Sequence, residues 1–175
     1  MAAVVVLCEQ NGAVPVETQD ISNVNMGSTD AANLDPDTDP ITAQADGHAY
    51  EKWLRLYVSD LAGSSQIDNL KIWSSGLGGG WQTEESWSTN LVTVGYAAAE
   101  YPGGGPIATD SADATEAMPE AEPGSANLGI GEALDGVIDE APAYSDWCVL
   151  QMNVTENTEA GPVNQKTLTI QYDEM

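Results

Sequence analysis

The segment KWLRLYV, residues 52–58, alternates strictly between two kinds of side chain. Every second position is aliphatic: Leu54, Leu56 and Val58. The positions between them are aromatic or basic: Trp53, Arg55 and Tyr57. Successive side chains of a β-strand point to opposite faces, so this period of two predicts a strand. We expect its aliphatic face to line a core and its other face to meet solvent.

Four further segments alternate in the same way and predict strands of their own. They are NLVTVGYA at 90–97, LKIW at 70–73, DWCVLQMNV at 146–154 and KTLTIQY at 166–172. Several short alternating strands with long polar loops predict an all-β fold, an antiparallel β-sandwich or jelly-roll-like single domain.

Two strand pairings follow from the shortness of the connections. We expect residues 52–58 and 70–73 to be antiparallel neighbours, because only a turn-rich link separates them. The polar segment ENTEAGPVNQ is expected to join the last two strands as a hairpin-like connection.

The remaining segments read as an N-terminal element and long loops. Residues 1–10 predict a strand or an extended arm, and residues 11–175 predict the β-sandwich domain. Within that domain, residues 11–47 are polar and predict long connections with one short strand. Residues 100–146 hold eleven acidic residues and no basic one, which predicts a loop-rich acidic insertion. We expect four aliphatic residues to hold it down, with one short helix near IGEALDGVIDE: Leu128, Ile130, Leu134 and Ile138.

The charge of the chain limits its partners. Twenty-eight acidic residues face four basic ones, which gives a net charge of −24. Nucleic-acid binding needs Lys and Arg at phosphates, and an anionic membrane repels acidic chains, so we expect neither partner. A salty environment would also select such a composition, and this alternative stays beside any functional one.

Two cysteines, Cys8 and Cys148, are predicted to be free, because a domain built on disulfides would carry more of them. The apolar run at the N-terminus lacks a basic flank and is short for a signal peptide. We therefore expect synthesis in a cytoplasm.

Catalytic and metal-binding motifs are weak. His48 is the one histidine, and no nucleophile motif surrounds it, so we predict no catalytic residue. Asp35, Asp37 and Asp39 have the spacing that opens an EF-hand, but Pro40 replaces the required Gly and Asp46 the preferred Glu. Turn chemistry explains Asp-Pro repeats without a metal and is the preferred interpretation over calcium binding, so we predict neither a metal nor a cofactor.

Five aromatic side chains could form a sugar-stacking platform or could pack in the core: Trp53, Tyr57, Trp73, Trp81 and Trp87. Paired carboxylates for glycoside hydrolysis are not marked by any motif. A carbohydrate-binding β-sandwich therefore stands as an alternative function, and an enzyme is not predicted.

Two segments resemble recurrent parts of structural proteins of tailed bacteriophages. They are AYEKWLRLYVSDLAGSSQIDNLKIW and YSDWCVLQMNVTENTEAGPVNQKTLTIQYDE, and together they cover about a third of the chain. The resemblance implies a non-enzymatic virion protein with a β-sandwich fold. It leaves the position in the particle open between head, neck and tail.

Charge narrows that choice, because packed DNA inside a shell would repel a chain of net charge −24. The expectation is a capsid decoration, or cement, protein on the outer head surface that stabilises the shell. Its expected partners are the major capsid protein and other copies of itself as a homotrimer. Strand addition by an N-terminal arm is one means of attachment, and an internal edge strand is the alternative for those residues. The expected interface residues are Val4, Val5, Val6, Trp53, Arg55, Tyr57 and Trp73.

Overall fold

The computed structural model describes residues 1–11, 16–32, 34–42, 44, 47–75, 92–99, 111–156, 158 and 166–175. This part of the chain is all-β and contains no helix, which confirms the predicted fold class. In chain order the strands are β1 Val4–Asn11, β2 Val16–Gln19, β3 Gly47–His48, β4 Lys52–Asp60, β5 Ile67–Ser75, β6 Val92–Ala99, β7 Glu116–Ala117, β8 Ala143–Tyr144, β9 Trp147–Val154 and β10 Thr167–Glu174.

The strands form a large and a small antiparallel sheet. The large sheet has the order β2-β1-β4-β9-β6-β7, with β3 beside β9 and β8 beside β4. The small sheet consists of β5 and β10. The two expected pairings are therefore wrong, since β4 and β5 lie in different sheets, and so do β9 and β10. Alternation decides which face a residue occupies, but it carries no information about the neighbouring strand.

A single main core lies between the two sheets, in a sandwich-like arrangement. The aliphatic face of β4 is buried as predicted, with Leu54 and Val58 fully inaccessible to solvent. β9 and β6 contribute the same face through Leu150 and Val94, and β5 contributes Ile72 from the opposite side. Burying aliphatic side chains of this size stabilises the fold by roughly 1.5–3 kcal/mol each.

The acidic segment from residue 111 onward covers two surfaces of this sandwich. Residues 111–118 lie across the outer face of the large sheet and add the short strand β7 to β6. Gly95 permits this close approach, because a Cβ there would clash with the carbonyl oxygen of Ala114.

Residues 119–138 run along the outer edge of β5. The Asn127 side chain imitates a neighbouring strand: its Oδ1 accepts from the Ile72 amide at 2.8 Å, and its Nδ2 donates to the Ile72 carbonyl at 2.9 Å. Leu128, Ile130 and Ile138 are buried as expected.

Two expectations for this segment are wrong. Leu134 is 54% exposed and does not hold the segment down. Residues 130–140 form turns and short bridges in place of the expected helix. Gly131 and Glu132 both have positive φ there, 60° and 67°, which a right-handed helix does not permit.

The N-terminal residues belong to the sheet and do not form a free arm. β1 pairs with β4 from Val4 to Gln10. β2 pairs with the second half of β1, from Cys8 to Asn11. Of the two readings for this segment, the structure therefore shows the strand. Removal of residues 1–7 would strip β4 of a neighbour.

Each of the four basic side chains forms an ion pair with a glutamate. The pairs are Lys52–Glu9, Arg55–Glu17, Lys71–Glu122 and Lys166–Glu120. Lys52 and Glu9 are both fully buried, with Nζ 2.8 Å from Oε1 and a second hydrogen bond of 2.6 Å to the Ala31 carbonyl. The two partners come from β4 and β1, so this pair ties adjacent strands together inside the protein.

We predict that Lys52→Met lowers the free energy of unfolding by about 3–5 kcal/mol, because it leaves the buried Glu9 carboxylate without its counter-charge. Replacing both partners, as Lys52→Met with Glu9→Leu, should restore most of the loss, since no charge then remains buried. Urea unfolding measures both effects.

The matched control is Lys166→Met. The Lys166 side chain is itself only 6% exposed, but its partner Glu120 is half exposed and stays solvated when the lysine is removed. It should change the free energy of unfolding by less than about 1 kcal/mol. Equal losses for the two lysine variants would contradict the assignment of the Lys52–Glu9 pair as the stronger one.

Candidate functional site

The outer face of the large sheet carries a partly exposed group of aromatic side chains around one arginine. The alternation of β4 places Arg55 and Tyr57 on this face. Tyr144 of β8 is the direct cross-strand neighbour of Tyr57, on the same face of the sheet. Trp147 is the first residue of β9. We call Arg55, Tyr57, Tyr144 and Trp147 the aromatic platform.

Arg55 lies stacked on its aromatic neighbours. Its Cζ is 3.6 Å from the ring centroid of Tyr144 and 4.3 Å from that of Trp147. The rings of Tyr57 and Tyr144 are 4.8 Å apart, with a tilt of 33°. A guanidinium over an aromatic face gains a cation–π attraction, and its planar shape suits stacking.

Glu17 of β2 fixes the direction of the guanidinium. Its Oε2 accepts from Arg55 Nε at 2.8 Å and also from Nη2. Its Oε1 accepts from Gln19 Nε2 at 3.0 Å and from the Tyr144 hydroxyl at 3.2 Å. Both carboxylate oxygens are thus engaged, which holds the platform in one conformation.

Titration of the platform follows from these contacts. Partial burial alone would raise the pKa of Glu17, but the hydrogen bonds from Gln19 and Arg55 outweigh it and lower that pKa below 4.5. Loss of solvent and the nearby Glu17 charge together raise the pKa of the Tyr144 phenol. The carboxylate and the neutral phenol are therefore both maintained at neutral pH.

Trp53 lies beneath the platform and supports it. Only 1% of Trp53 is exposed, and its ring meets Trp147 edge-on at a centroid distance of 6.4 Å. Its Nε1 donates to Glu51 Oε2 at 3.0 Å. The other Glu51 oxygen accepts from the Ser111 hydroxyl, which anchors the covering residues 111–118. A buried Trp53 has no surface to offer a partner.

The seven expected interface residues are divided among several places. Arg55, Tyr57 and Val6 lie in adjacent positions of one face, since Val6 is opposite Tyr57. Val4 is 49% exposed at the start of β1. Val5 packs against the main core.

Trp73 belongs to the small sheet and is not brought to the platform. Trp81 and Trp87 lie outside the described residues. The sequence did not single out two members of the platform, Tyr144 and Trp147, or the residue that orients Arg55, Glu17. Within 146–154, Trp147 alternates with Cys148 and Leu150, but nothing in the sequence indicated that β8 and β9 both pair with β4.

Other motifs have local structural roles. Nδ1 of His48 is 2.8 Å from Asn153 Oδ1, a contact that links β3 to β9. Asp35 accepts from the Asp37 amide at 3.0 Å in a turn, and Asp46 lies outside the described residues. Within the described ranges, no group of three or more His, Cys, Asp or Glu side chains is arranged to hold a metal ion.

The two cysteines are free, as predicted, and both are buried. They lie on opposite faces of the large sheet, because Cys8 is opposite Arg55 and Cys148 is opposite Leu54. Burial and the Glu17 charge raise the pKa of Cys8 to about 11, and burial raises that of Cys148 further. Both thiols therefore stay protonated and unreactive at neutral pH.

We predict that Glu17→Gln lowers the free energy of unfolding by about 1 kcal/mol at neutral pH. The pKa of Glu17 is lower in the folded chain than in the unfolded one, so its contribution is complete above 4.5 and is lost as pH falls through the folded value. The difference between variant and wild type should therefore shrink in acid, as urea unfolding at several pH values would measure.

The control is Glu122→Gln, since Glu122 is half exposed in its pair with Lys71. Its effect should be near zero at every pH. A loss for Glu17→Gln that stays constant into acid would show that the carboxylate charge plays no part in the platform.

Among the described residues, no helix is long and apolar enough to span a membrane. Searches of family models, of curated proteins and of solved structures found no match to this chain.

Proposed function

We propose that the protein is a non-enzymatic decoration, or cement, protein that binds the outer surface of a bacteriophage head and stabilises the shell. The observation that carries this proposal is the aromatic platform. Tyr, Trp and Arg are the residues most enriched at the centres of protein–protein interfaces. Here they stand together on one sheet face, in a chain that has a single arginine.

The way the platform is built favours a protein partner over a sugar. Sugars stack on a free aromatic face, but the Arg55 guanidinium already lies over the rings of Tyr144 and Trp147. Tyr144 is 36% exposed, so its remaining surface is available to a side chain of a partner. A fixed platform also loses little conformational freedom on binding, which favours affinity.

The resemblance of residues 49–73 and 144–174 to phage structural proteins supplies the class of partner, the major capsid protein. Those segments contain all four platform residues. The net charge of −24 favours the outside of a head over its DNA-lined interior. Binding to the assembled lattice stabilises it by mass action, because the dissociated subunits lack the site.

The test adds labelled protein to virus particles that lack it and locates it by cryo-electron microscopy. Symmetric, saturating density over the head is the expected result, and it would also report whether copies sit as trimers. Density at one vertex or along the tail would move the protein to the neck or tail. An absence of density would overturn the proposal, and titration with a polysaccharide panel would then test the sugar-binding alternative.

We predict that Tyr144→Ser weakens binding to such particles at least tenfold, because it removes a central aromatic contact and the hydroxyl bond to Glu17. The control is Leu134→Ser, an exposed apolar residue outside the platform. Sedimentation of particles with bound protein measures both. Equal binding by wild type and Tyr144→Ser would exclude the platform as the contact surface.

A further inference from the structure

Among the described residues, the small sheet has only two strands, so both of them are edge strands. Each edge must be covered if it is not to pair with another chain. β5 and β10 face a sheet to which eight strands contribute. A strand edge exposes backbone N–H and C=O groups that can pair with another chain. The outer edge of β5 is covered within the protein, whereas in the described part of the chain no strand pairs with the outer edge of β10.

The covering of β5 shows which of its residues face away from β10. The Ile72 amide and carbonyl bond to the Asn127 side chain, and the Leu70 carbonyl accepts from the Asn127 amide at 3.1 Å. The Ser74 amide donates to the Pro119 carbonyl at 2.8 Å. Alternate residues of a strand direct their backbone groups to opposite sides. The backbone N–H and C=O groups of these alternate residues therefore point away from β10: Leu70, Ile72 and Ser74.

The backbone groups of the residues between them, Lys71 and Trp73, must point toward β10. Lys71 is opposite Gln171, and Trp73 is opposite Thr169. These are the pairs whose backbone groups bond the two strands. The residues of β10 between them then direct their backbone groups outward. The N–H and C=O of Leu168 and Ile170 form the edge with which no described strand pairs, and we call it the free edge of β10.

The side chains on the core side of this edge are only partly covered by the described residues. Leu168, Ile170 and Tyr172 pack against the main core but are only partly buried. The start of β1 lies near the end of β10, since the Ala3 amide is 3.3 Å from the Glu174 carboxylate. A further strand beside β10 would widen the narrow layer and cover these half-buried side chains.

The sequence of β10 does not protect its edge by the usual means. Thr167–Glu174 contains no lysine and no proline, the residues that commonly prevent strand addition. Its exposed end carries Asp173 and Glu174. The four basic side chains of the chain are engaged with glutamates, so the surface potential near this edge is negative. At this edge, a second copy of the chain, with the same charge of −24, is therefore a less favourable strand partner than a cationic segment.

We propose that the free edge of β10 binds an extended, cationic segment of a partner protein as an additional strand. Main-chain hydrogen bonds to Leu168 and Ile170 would give affinity, and lysine or arginine in the segment would meet the acidic surroundings. This inference uses no residue of the aromatic platform. The two surfaces would allow one copy of the protein to contact two partner elements at once.

The experiment uses amide hydrogen exchange of the full chain, read by NMR. The probe is a synthetic peptide that alternates lysine with valine. In the free protein, the amides of Thr169 and Gln171 should exchange slowly and those of Leu168 and Ile170 fast. The peptide should slow Leu168 and Ile170 at least tenfold. A peptide with glutamate in place of lysine should have no effect.

Ile170→Pro removes the outward N–H without removing a bond to β5, so it should weaken peptide binding at least tenfold. Ile170→Val keeps that N–H and is the matched control. If Ile170→Pro fails to fold, the exchange pattern of the wild type still decides the question. Tyr144→Ser should bind the peptide normally, which separates this edge from the platform.

Three outcomes would overturn the proposal. The first is no binding of the lysine peptide, and the second is binding that leaves Leu168 and Ile170 in fast exchange. The third is that these amides are already protected without peptide, that this protection increases with protein concentration, and that the molecular mass rises to that of a dimer. That result would assign the edge to a second copy of the chain.

Discussion

The ion pairs of the four cations are the constraint on which the arrangement of this acidic chain depends. Two of the pairs connect β4 to β1 and β2, through Lys52–Glu9 and Arg55–Glu17. The other two join Lys71 of β5 to Glu122 and Lys166, which directly precedes β10, to Glu120. Both glutamates belong to the segment that runs along the edge of β5. The scarce positive charges are thus placed where strands and loops must be held together. Three of the four, Lys52, Arg55 and Lys71, lie on the strands β4 and β5.

The residue faces of this fold could be predicted from the sequence, but the neighbours of each strand could not. The alternation of Leu54 and Val58 gave the correct inner face because a period of two is a local property of the chain. The pairing of β5 with β10 depends on contacts across about a hundred residues, which no local pattern encodes. Trp53 was expected near a surface, and it became buried because residues 111–118 fold over it.

The candidate site shows the same division between local and distant information. Arg55 and Tyr57 were identified by their outward position on one strand. Tyr144 and Glu17 come from β8 and β2, and they reach Arg55 only through the pairing of the large sheet. The platform therefore depends on the order of strands in the large sheet. That order brings Tyr144 and Glu17 to Arg55 and fixes the arginine in a defined, partly exposed position. That surface and the edge of β10 belong to different sheets, so they can be altered independently.

The described part of the protein has one fully buried ion pair and many solvent-exposed carboxylates, and salt affects the two differently. Counterions screen exposed charges over a distance of about 8 Å at physiological ionic strength, and over less as salt is added. The repulsion among the surface carboxylates therefore weakens with added salt. The Lys52–Glu9 pair is closed to solvent and keeps its strength under the same conditions. Added salt thus weakens the repulsion among surface carboxylates and also weakens the three partly exposed ion pairs, whereas the buried Lys52–Glu9 pair is the one that persists in concentrated salt.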